Sequence, residues 1–106
     1  DPVPTMVFDE VDAGIGGAVA ETVGRKLRAL GGRCQVLAVT HLAQVASFGN
    51  RHLRVAKQTD GEATESQVIP MLGSDRIHEI ARMMGGKVLT PQTLAHAETM
   101  LEHGQT

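Results

Sequence analysis

The sequence predicts an α/β domain with a mostly parallel sheet, flanking helices and a late β-hairpin. Three observations lead there. Two short apolar runs, Pro4-Thr5-Met6-Val7-Phe8 and Gln35-Val36-Leu37-Ala38-Val39, flank a stretch of helical periodicity, the order of a βαβ unit with a right-handed crossover. Two further stretches of helical spacing close the chain. Phe8 and Phe48 are the only aromatic residues, with no Trp or Tyr. The core must therefore be built from Val, Leu, Ile, Ala and Met, which suits a parallel sheet under helices better than an aromatic-rich sandwich.

The run 4–8 reads as a buried strand ended by Asp9-Glu10. Gly14-Ile15-Gly16-Gly17 leads into a helix over roughly 17–30. Val19, Val23, Leu27 and Leu30 share one face of it, and Gly31-Gly32 stops it. A second buried strand, 35–39, ends in Thr40-His41, and Leu42, Val45 and Ala46 begin a short helix. Leu53 and Val55 alternate with polar neighbours in a strand over 51–57. Asp60-Gly61 marks a turn, so a strand at 65–70 returns as a hairpin. Ile77, Ile80, Ala81 and Met84 then share a helical face, with Ser74 as N-cap and Gly85-Gly86 as stop. Thr90-Pro91 supplies a cap and a first-turn proline before Leu94, Ala97 and Leu101 of a last helix. There is no repeat and no low-complexity segment.

The net charge of −2, without a basic run, argues against this stretch as a main DNA-binding surface. Arg51, Arg54 and Lys57 recur at period three and read as a solvated strand edge and loop. The single cysteine, Cys34, excludes an internal disulfide and reads as a small core residue. No apolar stretch approaches the roughly 20 residues that span a bilayer, and no signal peptide opens the chain. A first residue of Asp1 rather than Met leads to the expectation that the sequence begins in mid-protein. His41, His52, His78, His96 and His103 do not show zinc-ligand spacing.

Three places can carry chemistry. In open α/β sheets ligands bind beyond the C-terminal ends of the strands, where Asp9-Glu10 stands. Successive strand residues point opposite ways. One carboxylate can then hold Mg²⁺ through water while the other orients an attacking water. A strand ending in Asp-Glu is also what a chain returning to solvent looks like. Val11-Asp12-Ala13-Gly14-Ile15-Gly16-Gly17 lets the backbone approach a phosphate or another chain, or simply turns into the helix. It lacks the third glycine and the later acid of a dinucleotide fingerprint. His41, ending the second strand, can bond a γ-phosphate oxygen and sense its loss, or be structural. Each feature alone leaves both readings open.

Taken in order, strand-Asp-Glu, Asp-x-Gly, helix and strand-Thr-His resemble the half-site of an ABC-type ATPase: Walker B, D-loop and switch histidine. The segment from Val7 to Gly17 resembles the DEVD-x-GI-x-G segment of the RecN family of SMC-like repair ATPases. Val39-Thr40-His41-Leu42-Ala43-Gln44-Val45-Ala46 is similar to its VTHLPQVA stretch, with Ala43 in place of proline. The tail, Glu79-Ile80-Ala81-Arg82-Met83-Met84-Gly85-Gly86 followed by Thr90 and His96-Ala97, resembles the C-terminus of the same family. The likeness thus runs over essentially the whole chain, and the tail separates it from transporter subunits and other SMC heads.

That resemblance implies the C-terminal lobe of a P-loop (ABC-type) ATPase head, acting in DNA double-strand-break repair and recombination in the cytoplasm at the nucleoid. Its cofactors would be ATP and Mg²⁺. Asp9 would serve the metal, Glu10 would be the catalytic carboxylate and His41 the switch histidine. Asp12 and Gly14 would be D-loop residues meeting nucleotide and a partner head. The implied partners are the N-terminal half of the same head, a second head in an ATP-dependent dimer, and DNA through the full-length protein, with no membrane. No G-x-x-x-x-G-K-[ST] phosphate cradle and no LSGG-type signature occurs in the chain. Alone it is expected to bind ATP weakly and not to turn it over. The family fold places the phosphate-loop strand beside the strand ending in His41. Without it that edge is unpaired and recruits another chain. The competing reading is a non-catalytic dimerisation or interaction lobe with no ATP turnover of its own.

Overall fold

The structure, a computed structural model, describes residues 4–9, 16–61, 63–85 and 88–106. Glu10, Asp12 and Gly14 lie outside the described residues, as does Gly86. The chain is α/β, as its sequence predicts. Strand β1 (Thr5–Phe8) pairs in parallel with β2 (Gln35–Ala38), Thr5 opposite Gln35 and Phe8 opposite Ala38. Bonds from Gln35 N to Pro4 O and from Val39 N to Phe8 O, both 2.9 Å, continue the pairing at each end. Helix α1 (Gly17–Leu30) joins the two strands over the predicted span, with Gly31 as its C-cap.

The inward face of α1 is rotated from the one the periodicity picks out. Ala20 and Gly24 are buried, whereas Val19 is exposed. The cause is Phe48. A Cβ on Gly24 would stand 2.5 Å from Phe48 Cδ2, so the absent side chain makes room for the ring. Val23, Leu27 and Leu30 instead face a groove shared with Val7 and Phe8 of β1.

Two expectations about the sheet are corrected. It is not mostly parallel. Strands β3 (Leu53–Asp60) and β4 (Ala63–Pro70) form a separate antiparallel hairpin of eight-residue strands, against four-residue strands in the parallel pair. The hairpin outruns its apolar pattern because the backbone ladder continues past Lys57 to the Asp60–Ala63 pair, whatever the side chains along it. Nor are the parallel strands buried: Val7 is 66% and Leu37 46% exposed. Helix α1 lines a groove with β1, and among the described residues β1 and β2 have no other strand partner.

The core sits among the helices that follow. These are α2 (Ala43–Ala46), α3 (Ser74–Met83) and α4 (Pro91–Gln105). Ala43, Ile80, Ala81 and Ala97 form its centre, and Ile77, Leu94 and Met100 pack around them. Small alanines let α2, α3 and α4 approach closely. Thr90 caps α4 as predicted, its side chain accepting from Thr93 N at 3.1 Å, with Pro91 in the first turn. Ser74 does not cap α3. Gly73, at φ 55, turns the chain one residue earlier, and Ser74 is the first helical residue. Gly85, at φ 98, follows the end of α3. Cys34 is buried, as read. Arg51, Arg54 and Lys57 are exposed.

Candidate functional site

Parallel pairing in register brings the ends of β1 and β2 together. Phe8 lies opposite Ala38, and Val39 N donates to Phe8 O. Asp9 therefore leaves β1 at the same edge at which Thr40 and His41 leave β2. Asp9 and His41 are both exposed there. Asp9 also borders an open groove of about 600 Å³ whose other walls are Val7 and Phe8 of β1 and Val23, Lys26, Leu27 and Leu30 of α1. Glu10, Asp12 and Gly14 belong to the connection between Asp9 and α1, outside the described residues.

The backbone around His41 is held on both sides. Upstream, the strand is bonded to β1. Thr40 Oγ1 accepts from Leu42 N at 3.0 Å, a local turn that fixes the bend at His41. Downstream, α2 is one turn long, with Ala43 and Val45 buried. Its end is gripped by three side chains from three other elements. Arg28 of α1 donates to Phe48 O at 2.8 Å. Arg76 of α3 donates to Ala46 O at 3.2 Å and also to Gly49 O. Gln105 of α4 donates through Nε2 to Ser47 O and Gly49 O, both at 2.8 Å. Four successive carbonyls, that of the last residue of α2 and those of the three residues after it, thereby accept side-chain hydrogen bonds, two of the donors being cations placed where a helix C-terminus favours them.

The chain is 49% identical over 102 residues to the DNA repair protein RecN of Streptomyces coelicolor, covering 96% of this chain and 18% of that protein. It is 51% identical over 105 residues to the DNA repair protein RecN of Xylella fastidiosa strain 9a5c (99% of this chain, 19% of that protein). Against the DNA repair protein RecN of Vibrio cholerae it is 50% identical over 98 residues, 92% of this chain and 18% of that protein. The chain belongs to the RecN family. It spans less than a fifth of the length of these RecN relatives. No protein-family model matches it.

Two charged networks of this RecN segment escape any reading of the sequence. In the first, Glu21 Oε1 accepts from Arg25 Nη2 at 3.0 Å and lies 2.9 Å from His103 Nε2. The hydrogen bonds from His103 and then Arg25 hold the Glu21 carboxyl below its usual range. Arg25 lies 5.4 Å from the Phe48 ring centre and His103 meets the same ring edge-on. In the second, buried Glu79 takes a bidentate hydrogen bond from Arg82 and lies 3.8 Å from Arg54 on β3. That hydrogen bond from Arg82 is the main reason the Glu79 carboxyl titrates low. Except for Glu79 with Arg82 and Glu21 with Arg25, which share a helix face at i, i+3 or i, i+4 spacing, the partners lie on different elements, and no local signal joins them. Arg28, Arg76 and Gln105 are likewise far apart in sequence. Among the described residues no group of three or more His, Cys, Asp or Glu converges as a metal site, and no helix is long and apolar enough to cross a membrane.

Proposed function

We propose that this RecN segment is the C-terminal lobe of a P-loop, ABC-type ATPase head. In the full-length protein it supplies the Walker B carboxylates, the D-loop and the switch histidine for ATP hydrolysis in DNA double-strand-break repair and recombination. One observation carries the reading. The exit of Asp9 and His41 from neighbouring parallel strands at their C-terminal ends is the arrangement that lets a carboxylate and an imidazole address the two sides of one nucleotide's terminal phosphate. The membership in RecN adds the repair context, since the relatives are DNA repair proteins by name.

Asp9 suits Mg²⁺. A single exposed carboxylate fits a hard cation that keeps most of its water and takes its remaining ligands from phosphate oxygens. When bound, the ion supplies charge stabilisation on the transferring phosphoryl group. Glu10 is the residue we assign to orienting and deprotonating the attacking water. His41 donates to the γ-phosphate and registers its departure, and Asp12 and Gly14 form the D-loop facing a second head. The phosphate cradle and signature must come from other segments: the N-terminal half of the same head and a partner head. On this reading ATP gates head dimerisation in a cytoplasmic, nucleoid-associated protein that reaches DNA through its other regions.

The test is Glu10→Gln in the full-length protein. Loss of a general base lowers hydrolysis by about 10²- to 10⁴-fold, while ATP-bound head dimers persist in gel filtration. Unchanged turnover would overturn the reading and leave a non-catalytic interaction lobe.

A further inference from the structure

We propose that Arg28, Arg76 and Gln105 are positioning residues for His41. The inference rests on the reading of His41 as the group that meets the γ-phosphate and deepens it. His41 stands between two fixed points. On one side Val39 N is bonded to Phe8 O at 2.9 Å, which ties the strand end to the strand that carries Asp9. On the other side a single helical turn, α2, runs from Leu42 to a loop whose carbonyls are all spoken for. Ala46 O takes Arg76, Ser47 O takes Gln105, Phe48 O takes Arg28, and Gly49 O takes both Arg76 and Gln105. Arg28 and Gln105 also meet each other, Arg28 Nη2 donating to Gln105 O at 3.2 Å. A one-turn helix with Ala43 and Val45 buried has little freedom to bend, so a shift of the loop moves α2 as a rigid piece and carries His41 with it.

The same loop is closed from the other sides. A Cβ on Gly104 would stand 2.3 Å from Ser47 O, so the α4 backbone lies directly on the loop. The Phe48 side chain is buried against the backbone at Gly24 of α1. Elements α1, α3 and α4 thus converge on residues 46–49, none of which is in the candidate site. The helices reach the segment that carries His41 at this loop.

Steady-state ATP hydrolysis by the full-length protein tests the proposal, with thermal melting as the control for folding. Misplacing a reacting group by about 1 Å can cost about 10²-fold. Gln105→Ala and Arg28→Ala are therefore expected to lower kcat by about ten-fold and to change the KM for ATP by less than about two-fold. Arg28→Lys, which keeps a cationic donor for Phe48 O, recovers most of the loss. In a His41→Ala background, Gln105→Ala is expected to change kcat by less than about two-fold, because residues that act as a unit are not additive. If Gln105→Ala and Arg28→Ala leave kcat unchanged while His41→Ala lowers it, the positioning role is overturned and the reading of His41 stands. A full Gln105→Ala loss in the His41→Ala background also overturns it, since the effect then bypasses His41. If His41→Ala itself leaves kcat unchanged, the reading of His41 falls and the positioning role falls with it.

Discussion

The parallel pair β1–β2 and the helical unit α2–α3–α4 divide the work of this chain unequally. The pair carries Asp9 and delivers His41, yet Val7 and Leu37 are largely open to solvent. The helices carry none of the candidate chemical groups, yet Ile80, Ala81 and Ala97 are completely buried. Parallel strands are ordinarily covered on both faces, so among the described residues this pair is the part left least packed. The difference teaches where rigidity comes from. On the positioning role proposed above, the candidate site draws it from two sides: from the strand pairing upstream of His41 and from the helices through the bonded loop at the end of α2.

The largest expected effect separates the two regions directly. Ile80→Ala removes a fully buried side chain from the centre of the core and is expected to cost about 2–5 kcal/mol. Val7→Ala trims a side chain already mostly in water and is expected to cost less than about 0.5 kcal/mol. Urea unfolding of the 106-residue chain measures both. Equal costs would break the comparison, because they would mean that the pair is as well packed as the helices.

A smaller effect probes the contact between helix and loop. Ala is favoured over Gly within a helix by about 1 kcal/mol, so Gly104→Ala in the last turn of α4 ought to stabilise if the helix stood alone. It does not stand alone. The new methyl would lie 2.3 Å from Ser47 O and 2.7 Å from Ser47 C, both backbone atoms. Overpacking of that kind costs about 1–3 kcal/mol. The expected outcome is a lowered melting temperature, together with faster hydrogen exchange at residues 43–49. A raised melting temperature would show that α4 can back away from the loop and that the grip on residues 46–49 is slack.

What was legible in the sequence follows the reach of the signals. Periodicity located α1 to the residue, because glycines bound it at both ends. Thr90-Pro91 and Gly85 marked their helix ends because capping is local chemistry. Ser74 misled because a serine before an apolar helix looks like a cap whether or not the neighbouring glycine takes over with a positive φ. The apolar runs of β1 and β2 gave the strands but not their exposure, since burial depends on what covers a strand, and that is not written in the strand. Asp9 and His41 could be paired in advance because parallel strands joined by one helix end side by side. Arg28, Arg76 and Gln105 could not. They act on backbone carbonyls, which every residue has, and no sequence pattern distinguishes a carbonyl that will need a partner.

The smallest effect concerns pH and again sets the helices against the sheet. His52 stands at the foot of β3, half-buried, with Nδ1 enclosed and unpartnered among the described atoms. Burial lowers its pKa below the usual value of about 6.5, and the charges of Arg76 and Arg82 act in the same direction, while Glu79 opposes them. The fold therefore prefers the neutral ring. The unfolded chain takes up a proton first, so this contribution is complete above about pH 6.5 and is lost as pH falls through the lower folded value. Glu79 and Glu21, both depressed, contribute above the usual carboxylate range and lose their contribution only in stronger acid. The melting temperature is expected to drop slightly between pH 7.5 and 5.5, and again below about pH 4.5. His52→Gln should flatten the first interval and leave the second. If the first drop survives in His52→Gln, the mildly acidic response does not arise at the junction of hairpin and α3.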